Sequence, residues 1–273
     1  MQTHLAPRTL KSEQTGGENV QVLFSTQPNR KAVLFIHGFS GDALTTWSEF
    51  PSLLPECPKC GGSDLYFYGY DALRGELIAS AAIFRAFLER LFGKTKEILA
   101  ANLSASAQRV GGFEYDELLI AAHSLGAVVA RRALLDATIN HLVWVSKTKL
   151  VLYAPAHMGA KVADLALEAA SSFSFMRLFG AFARFTSPLI DELKPNSPEL
   201  KRLLDDTTAA LEGGENTHLI AKKVIIAARE LIVSNIAFGK DPPPHAIAGT
   251  SHTSVCKPRK DFRLPFTYLE ECL

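Results

Sequence analysis

No apolar run in this 273-residue chain is long enough to cross a bilayer as a helix, which takes about 20 such residues in succession. Charge of one sign is equally scarce. Lys and Arg number 29 against 28 Asp and Glu, a net charge of +1. That balance argues against a dedicated nucleic-acid surface and leaves room only for local basic patches. Residues 1–19 are polar and lack the apolar core of a secretory signal, so a cytoplasmic protein is expected. Cysteines are few: Cys57, Cys60, Cys256 and Cys272. The stretch Cys57-Pro58-Lys59-Cys60-Gly61-Gly62 has the form of half a zinc ribbon, but Cys256 and Cys272 are too far apart to supply a second knuckle. A plain surface loop with two thiols is the favoured reading, with a reducible pair and a structural zinc as its alternatives. No metal is expected.

What is present is an average globular composition, 47% hydrophobic and 21% charged, in a chain long enough to bury a substantial core. Apolar runs bounded by turn residues predict strands at 20–25, 32–37, 65–70, 118–122, 150–153, 224–228 and 246–248. Several lack polar alternation, as strands covered on both faces do. Helical patterns fill 76–92, 95–108 and 124–138. Strands alternating with helices predict an α/β fold, a mostly parallel sheet with helices on both faces, and place ligands beyond the carboxyl ends of the strands.

The interval 160–220 breaks the alternation and reads as a helical cap inserted in a single domain spanning 1–273. Phe173, Phe175, Phe179, Phe182 and Phe185 cluster inside it. On a helix, Phe175, Leu178, Phe179, Phe182 and Phe185 share one face, with Arg177 and Arg184 opposite. The stripe reads as a helix packed on the main domain, as a lid over an acyl chain, or as a peripheral membrane contact through 173–185.

Chemistry concentrates at Ala122-His123-Ser124-Leu125-Gly126, between the apolar run 118–121 and a helical run. This is the pattern of a nucleophile elbow, in which a serine at a sharp strand-to-helix turn is flanked by small residues that let strand and helix approach. A serine hydroxyl needs a base, an acid to orient that base, and donors for the oxyanion. His252 is the best base, since its loop follows the last strand. His245 is its rival. His4, His141 and His218 read as solvated, and His157 as a pocket residue. Glu230, directly after the run 224–229, is the favoured acid, and Asp241 in a Gly-Lys-Asp-Pro loop is the alternative. The backbone N–H groups of Leu125 and Phe39 are the candidate oxyanion donors, with Gly38 permitting close approach.

The run from Val33 through His37-Gly38-Phe39-Ser40-Gly41-Asp42, the later Trp47 and the serine elbow together resemble the α/β-hydrolase superfamily. Within it the likeness is to lipase-like serine esterases, the branch holding the GPI inositol-deacylases. Tyr153 to Ala160 and Gly249 to Pro258 extend it, whereas the cysteine loop and the phenylalanine-rich interval lie outside. The resemblance implies Ser124 as nucleophile, His252 as general base and acid, and Phe39 and Leu125 as oxyanion donors. Two departures stand out: Ala122 where glycine is usual, and glutamate where aspartate is commoner. The leading expectation is a serine hydrolase acting on a small-molecule carboxylic ester with an apolar acyl group, without a cofactor. The second is a non-catalytic module that binds a lipid or protein through the interval 160–220. The third is a hydrolase attached to a membrane through the Phe and Arg helix.

Overall fold

The alternating apolar runs become the strands of one eight-stranded sheet in a computed structural model that describes residues 3–72, 75–104, 107, 109, 112–161, 192–233 and 237–273. The strands are β1 (Arg8–Thr9), β2 (Asn19–Leu23), β3 (Lys31–Ile36), β4 (Asp64–Gly69), β5 (Glu117–His123), β6 (Thr148–Tyr153), β7 (Ala221–Ala227) and β8 (His245–Ile247). The helices among the described residues are α1 (Ser12–Thr15), α2 (Phe50–Glu56), α3 (Leu77–Gly93), α4 (Thr95–Asn102), α5 (Leu125–Ile139), α6 (Pro198–Ala210) and α7 (Leu264–Glu270).

Strand order is β1-β2-β4-β3-β5-β6-β7-β8. From β4 to β8 every pairing is parallel, while β2 runs antiparallel to β4 and β1 antiparallel to β2. The chain leaves β3 on one side to form β4 and returns on the other to form β5. The order therefore reverses at β3 and β5, and a crevice opens beyond the carboxyl ends of such a pair. Those ends carry His37-Gly38-Phe39 and His123-Ser124.

Period-two side chains divide the core between the two faces. Tyr68 of β4 packs on Phe84 and Phe87 of α3, at centroid distances of 4.8 and 5.3 Å. On the other face Phe35 stacks on Phe67 at 4.9 Å and meets Trp47 at 4.8 Å and Phe50 at 5.1 Å. Tyr153 continues that face, and its hydroxyl donates to the Pro265 carbonyl at the start of α7 (2.7 Å). The loop after β3 is thus anchored from beneath by Trp47 and Phe50. Helix α5 is apolar nearly all round and buried along most of its length, as the central helix of such a sandwich must be.

The structure departs from expectation in three places. Helix α4 stops at Asn102 instead of continuing to 108, because Leu103 turns extended and the Asn102 amide donates back to the Ile98 carbonyl (2.7 Å). The cysteine loop is not a surface loop. Cys57 and Cys60 are 4% and 0% exposed with sulfurs 2.7 Å apart, and Cys57 Sγ lies 3.4 Å from Glu270 of α7. Among the described residues no three His, Cys, Asp or Glu side chains gather as a metal-binding group. His4 is buried, with Nε2–H donating to the Ser63 carbonyl (2.7 Å), instead of solvated. Within the interval 160–220, α6 packs against α5. Phe173, Phe175, Phe179, Phe182 and Phe185 lie outside the described residues. No helix among the described residues is long and apolar enough to cross a membrane.

Candidate active site

Ser124 stands between β5 and α5 with φ 51° and ψ −119°. A non-glycine residue there is strained, and such strain persists only where surrounding bonds over-determine it. Three do so: Ser124 N–H donates to the Tyr153 carbonyl (2.9 Å), and its own carbonyl accepts from Ala127 (3.1 Å) and Ala156 (3.3 Å). Small residues are required beside it for a measurable reason. A Cβ on Gly126 would lie 2.3 Å from the His37 carbonyl oxygen and 2.5 Å from that of Ile36, and one on Gly38 would lie 2.8 Å from Ser124 Cβ. The start of α5, the end of β3 and the turn after it are therefore in direct backbone contact.

His252 brings Nε2 to 2.9 Å from Ser124 Oγ. Behind it, Nδ1 lies 3.3 Å from Glu230 Oε1, and neither side chain is more than 1% exposed. The contact is off the hydrogen-bonding line, leaving His252 Nδ1 and Glu230 Oε2 without a well-aligned partner. Looser geometry of this kind is common before a substrate is bound. With Nδ1–H turned to the carboxylate, Nε2 keeps its lone pair for the serine proton. Burial pushes the Glu230 carboxyl upward. The His252 contact and the N–H groups of Ile232 (3.0 Å) and Val233 (3.3 Å) together outweigh burial and hold it below its ordinary value. Glu230 is thus an anion near neutral pH, set just beyond the end of β7.

Asp241 is not brought to His252. Its carboxylate accepts the Arg131 guanidinium and, at 2.8 Å, the N–H of Ala221, the first residue of β7. That end lies the length of the strand from Ala227, roughly 20 Å at 3.3 Å per residue, from which the turn to Glu230 departs. His245 begins β8, packs at a tilt on Tyr268 at 5.1 Å and so lies at the amino end of the sheet. His157 lines a cavity of about 20 Å³, which holds about one water and no substrate. Its Nε2 lies 3.0 Å from the Ala127 carbonyl and 3.2 Å from Arg131 Nε. The Leu125 N–H heads the first turn of α5, where a helix offers no internal acceptor. Phe39 follows Gly38 along the same edge and lines a cavity of about 330 Å³ beside Ser124.

Two supporting residues escaped the sequence reading. His123 sends Nε2–H to the His252 carbonyl (2.9 Å), with the rings 5.1 Å apart, so the residue before the nucleophile braces the loop of the base. Burial, then the nearby His252, drives its pKa well below the usual histidine value, which keeps it a neutral donor. His37 donates through Nδ1–H to the Gly38 carbonyl (2.8 Å) and accepts the Tyr70 N–H at Nε2 (3.3 Å), fixing the turn after β3.

No protein-family model matches the chain. Protein SERAC1 of Mus musculus is 24% identical over 95% of this chain and 42% of its own length. The chain thus spans less than half of that curated relative. Among solved structures, the Bacillus licheniformis lipase BlEst2 in mature form has a TM-score of 0.53 over 89% of this chain and 92% of that one, at 12% identity. The Saccharomyces cerevisiae peroxisomal alpha-beta-hydrolase Lpx1 has a TM-score of 0.51 over 93% and 78%, at 9% identity. This chain has the α/β-hydrolase fold. In an α/β-hydrolase sheet, the sequence positions of Ser124, Glu230 and His252, after β5, β7 and β8, follow the chain order serine, acid, histidine.

Proposed function

We propose that the protein is a serine hydrolase that cleaves carboxylic esters through an acyl-enzyme. The observation that carries this reading is the 2.9 Å approach of His252 Nε2 to Ser124 Oγ at a strained elbow, with the Glu230 anion behind the imidazole. Ser124 Oγ attacks the ester carbonyl carbon while its proton passes to His252 Nε2. Glu230 orients the ring and stabilises the imidazolium. The N–H groups of Phe39 and Leu125 receive the charge that develops on the carbonyl oxygen, a contribution of about 3 kcal/mol per donor in such sites. His252 then protonates the leaving alcohol oxygen as the carbon–oxygen bond breaks. A water, deprotonated by the same nitrogen, releases the acid and restores the serine.

Two structural neighbours, a lipase and an alpha-beta-hydrolase, support the reading of a hydrolase. An apolar acyl group, covered by a cap within the interval 160–220, completes the proposal on the strength of the phenylalanines there. The same interval supplies any peripheral membrane contact. The test is intact-mass labelling with a fluorophosphonate. One adduct is expected on the wild type and none on Ser124→Ala, with Glu230→Gln slowed roughly 10²- to 10⁴-fold. A folded wild type that takes no adduct, with or without detergent, would sink the hydrolase reading in favour of a binding module.

A further inference from the structure

The cavity beside Ser124 has a chemical character that the hydrolase reading leaves unused. Its volume of about 330 Å³ falls at the lower end of small-molecule sites. One wall is the turn Gly38-Phe39-Ser40 and the next is Thr45-Thr46, while Thr253 and Lys257 of the His252 loop close it. Its polar lining is hydroxyls, His123, one cation and one carboxylate.

Among the described residues the Lys257 ammonium has neither a carboxylate within ion-pair distance nor a hydrogen-bond acceptor, although the residue is half-buried. The Ser40 hydroxyl on the facing turn likewise has no partner there. The single carboxylate on the wall, Asp42, is already engaged by its own turn. Its Oδ1 accepts the Leu44 N–H (3.0 Å), the Thr45 N–H (2.9 Å) and the Thr45 hydroxyl (3.1 Å). His123, also on the wall, is held neutral. The cavity therefore carries two unengaged donors, one of them charged, against a single anion, Asp42, whose Oδ1 is taken by its own turn. A neutral apolar group would leave that ammonium desolvated without compensation, whereas an anion would pair it.

We infer that this cavity receives an anionic substituent of the substrate, a carboxylate or phosphate, and that Lys257 is the cation that selects it. The inference rests on the hydrolase reading for the word substrate. The cavity's affinity for an anion can be measured without it.

The kinetic arm compares phenyl butyrate with two charged analogues, 4-carboxyphenyl butyrate, charged on the alcohol side, and monophenyl succinate, charged on the acyl side. Wild type, Lys257→Met and Lys257→Arg are assayed on each. The expected result is a preference in kcat/KM of at least tenfold for one charged ester over phenyl butyrate. That preference collapses in Lys257→Met through a raised KM and returns in Lys257→Arg. The favoured ester identifies the side. No preference in the wild type, or one that survives in Lys257→Met, overturns the inference. The binding arm titrates glycerol 3-phosphate and benzoate calorimetrically into Ser124→Ala and into Ser124→Ala/Lys257→Met. Binding at least tenfold weaker in the double variant supports the site, and the stronger ligand tells phosphate from carboxylate. Equal affinities, or no binding of either, overturn it. Should Ser124 take no label and no ester turn over, the hydrolase reading fails and the calorimetric arm alone decides this one.

Discussion

Replacing Gly126 by alanine adds one methyl group, and the structure dictates where it goes: 2.3 Å from the His37 carbonyl oxygen and 2.5 Å from that of Ile36. An ordinary carbon–oxygen contact is about 3.3 Å, so roughly 1 Å must be found. Neither oxygen belongs to a side chain that could swing away. Ile36 is paired to β4 and β5 on both sides, and the His37 carbonyl accepts the Tyr70 hydroxyl (3.2 Å). The shift therefore falls on the joint between α5 and the end of β3, which carries Ser124 on one side and Gly38-Phe39 on the other. Overpacking of this kind costs about 1–3 kcal/mol, against a helix-propensity gain of at most about 1 kcal/mol for Gly→Ala. The expected net loss is about 1–2 kcal/mol, read as a lower urea midpoint at unchanged slope. A misplacement of about 1 Å between nucleophile and oxyanion donors lowers the fluorophosphonate rate constant by on the order of 10². Gly93, at the end of α3 with nothing within 4 Å of an added Cβ, is the control. Gly93→Ala raises the midpoint slightly and leaves labelling alone. A Gly126→Ala protein with the wild-type midpoint and a labelling rate within about threefold of wild type would refute the argument that backbone contact between α5 and β3 holds the site together.

Three further outcomes follow from buried polar groups. Burial above all, joined by neighbouring positive groups, holds His123 and His157 far below their ordinary value of 6.5. The unfolded chain thus binds more protons than the native one below that value, and stability falls as pH drops through it and onward toward the low native values. The pair should lose roughly 3 kcal/mol between about pH 7.5 and 5.5, measured by urea unfolding, and a flat or rising profile would contradict it. Asp241→Ala leaves Arg131, 1% exposed, without its carboxylate. This should cost about 3–5 kcal/mol of stability while the folded fraction labels at Ser124 at the wild-type rate, whereas a labelling defect matching that of Glu230→Gln would restore Asp241 as the acid. His123→Phe, which keeps the ring but removes the donor to the His252 carbonyl, should slow labelling about tenfold and lower stability by about 1 kcal/mol. Unchanged labelling would mean that the His252 loop holds its place without that bond.

The sequence alone determines the sheet and the elbow. Parallel strands buried on both faces must be continuous apolar runs, so Val33 to Ile36, Leu118 to Ala122 and Leu150 to Tyr153 announce themselves. The small residues at Ala122 and Gly126 register a local steric demand, which at Gly126 the structure puts at 2.3 Å. The position of His252 is legible for a related reason, because a loop after the last strand must end above the elbow. Short pieces such as α2, α7 and β1 left too little periodicity to read. What only the tertiary structure decides depends on partners far apart in the chain. Glu230 and Asp241 are both plausible carboxylates in sequence. One sits past the end of β7 beside His252, while the other turns back to its beginning and closes on Arg131, 110 residues earlier. His123 reads as an incidental neighbour of the serine until folding brings it to the carbonyl of a residue 129 positions away. Cys57 and Cys60 read as a surface turn until α7, from the end of the chain, covers them. Local spacing encodes which elements form. The pairing of charges and hydrogen bonds depends on which strand end each loop leaves from, and that is set only when the whole sheet is assembled.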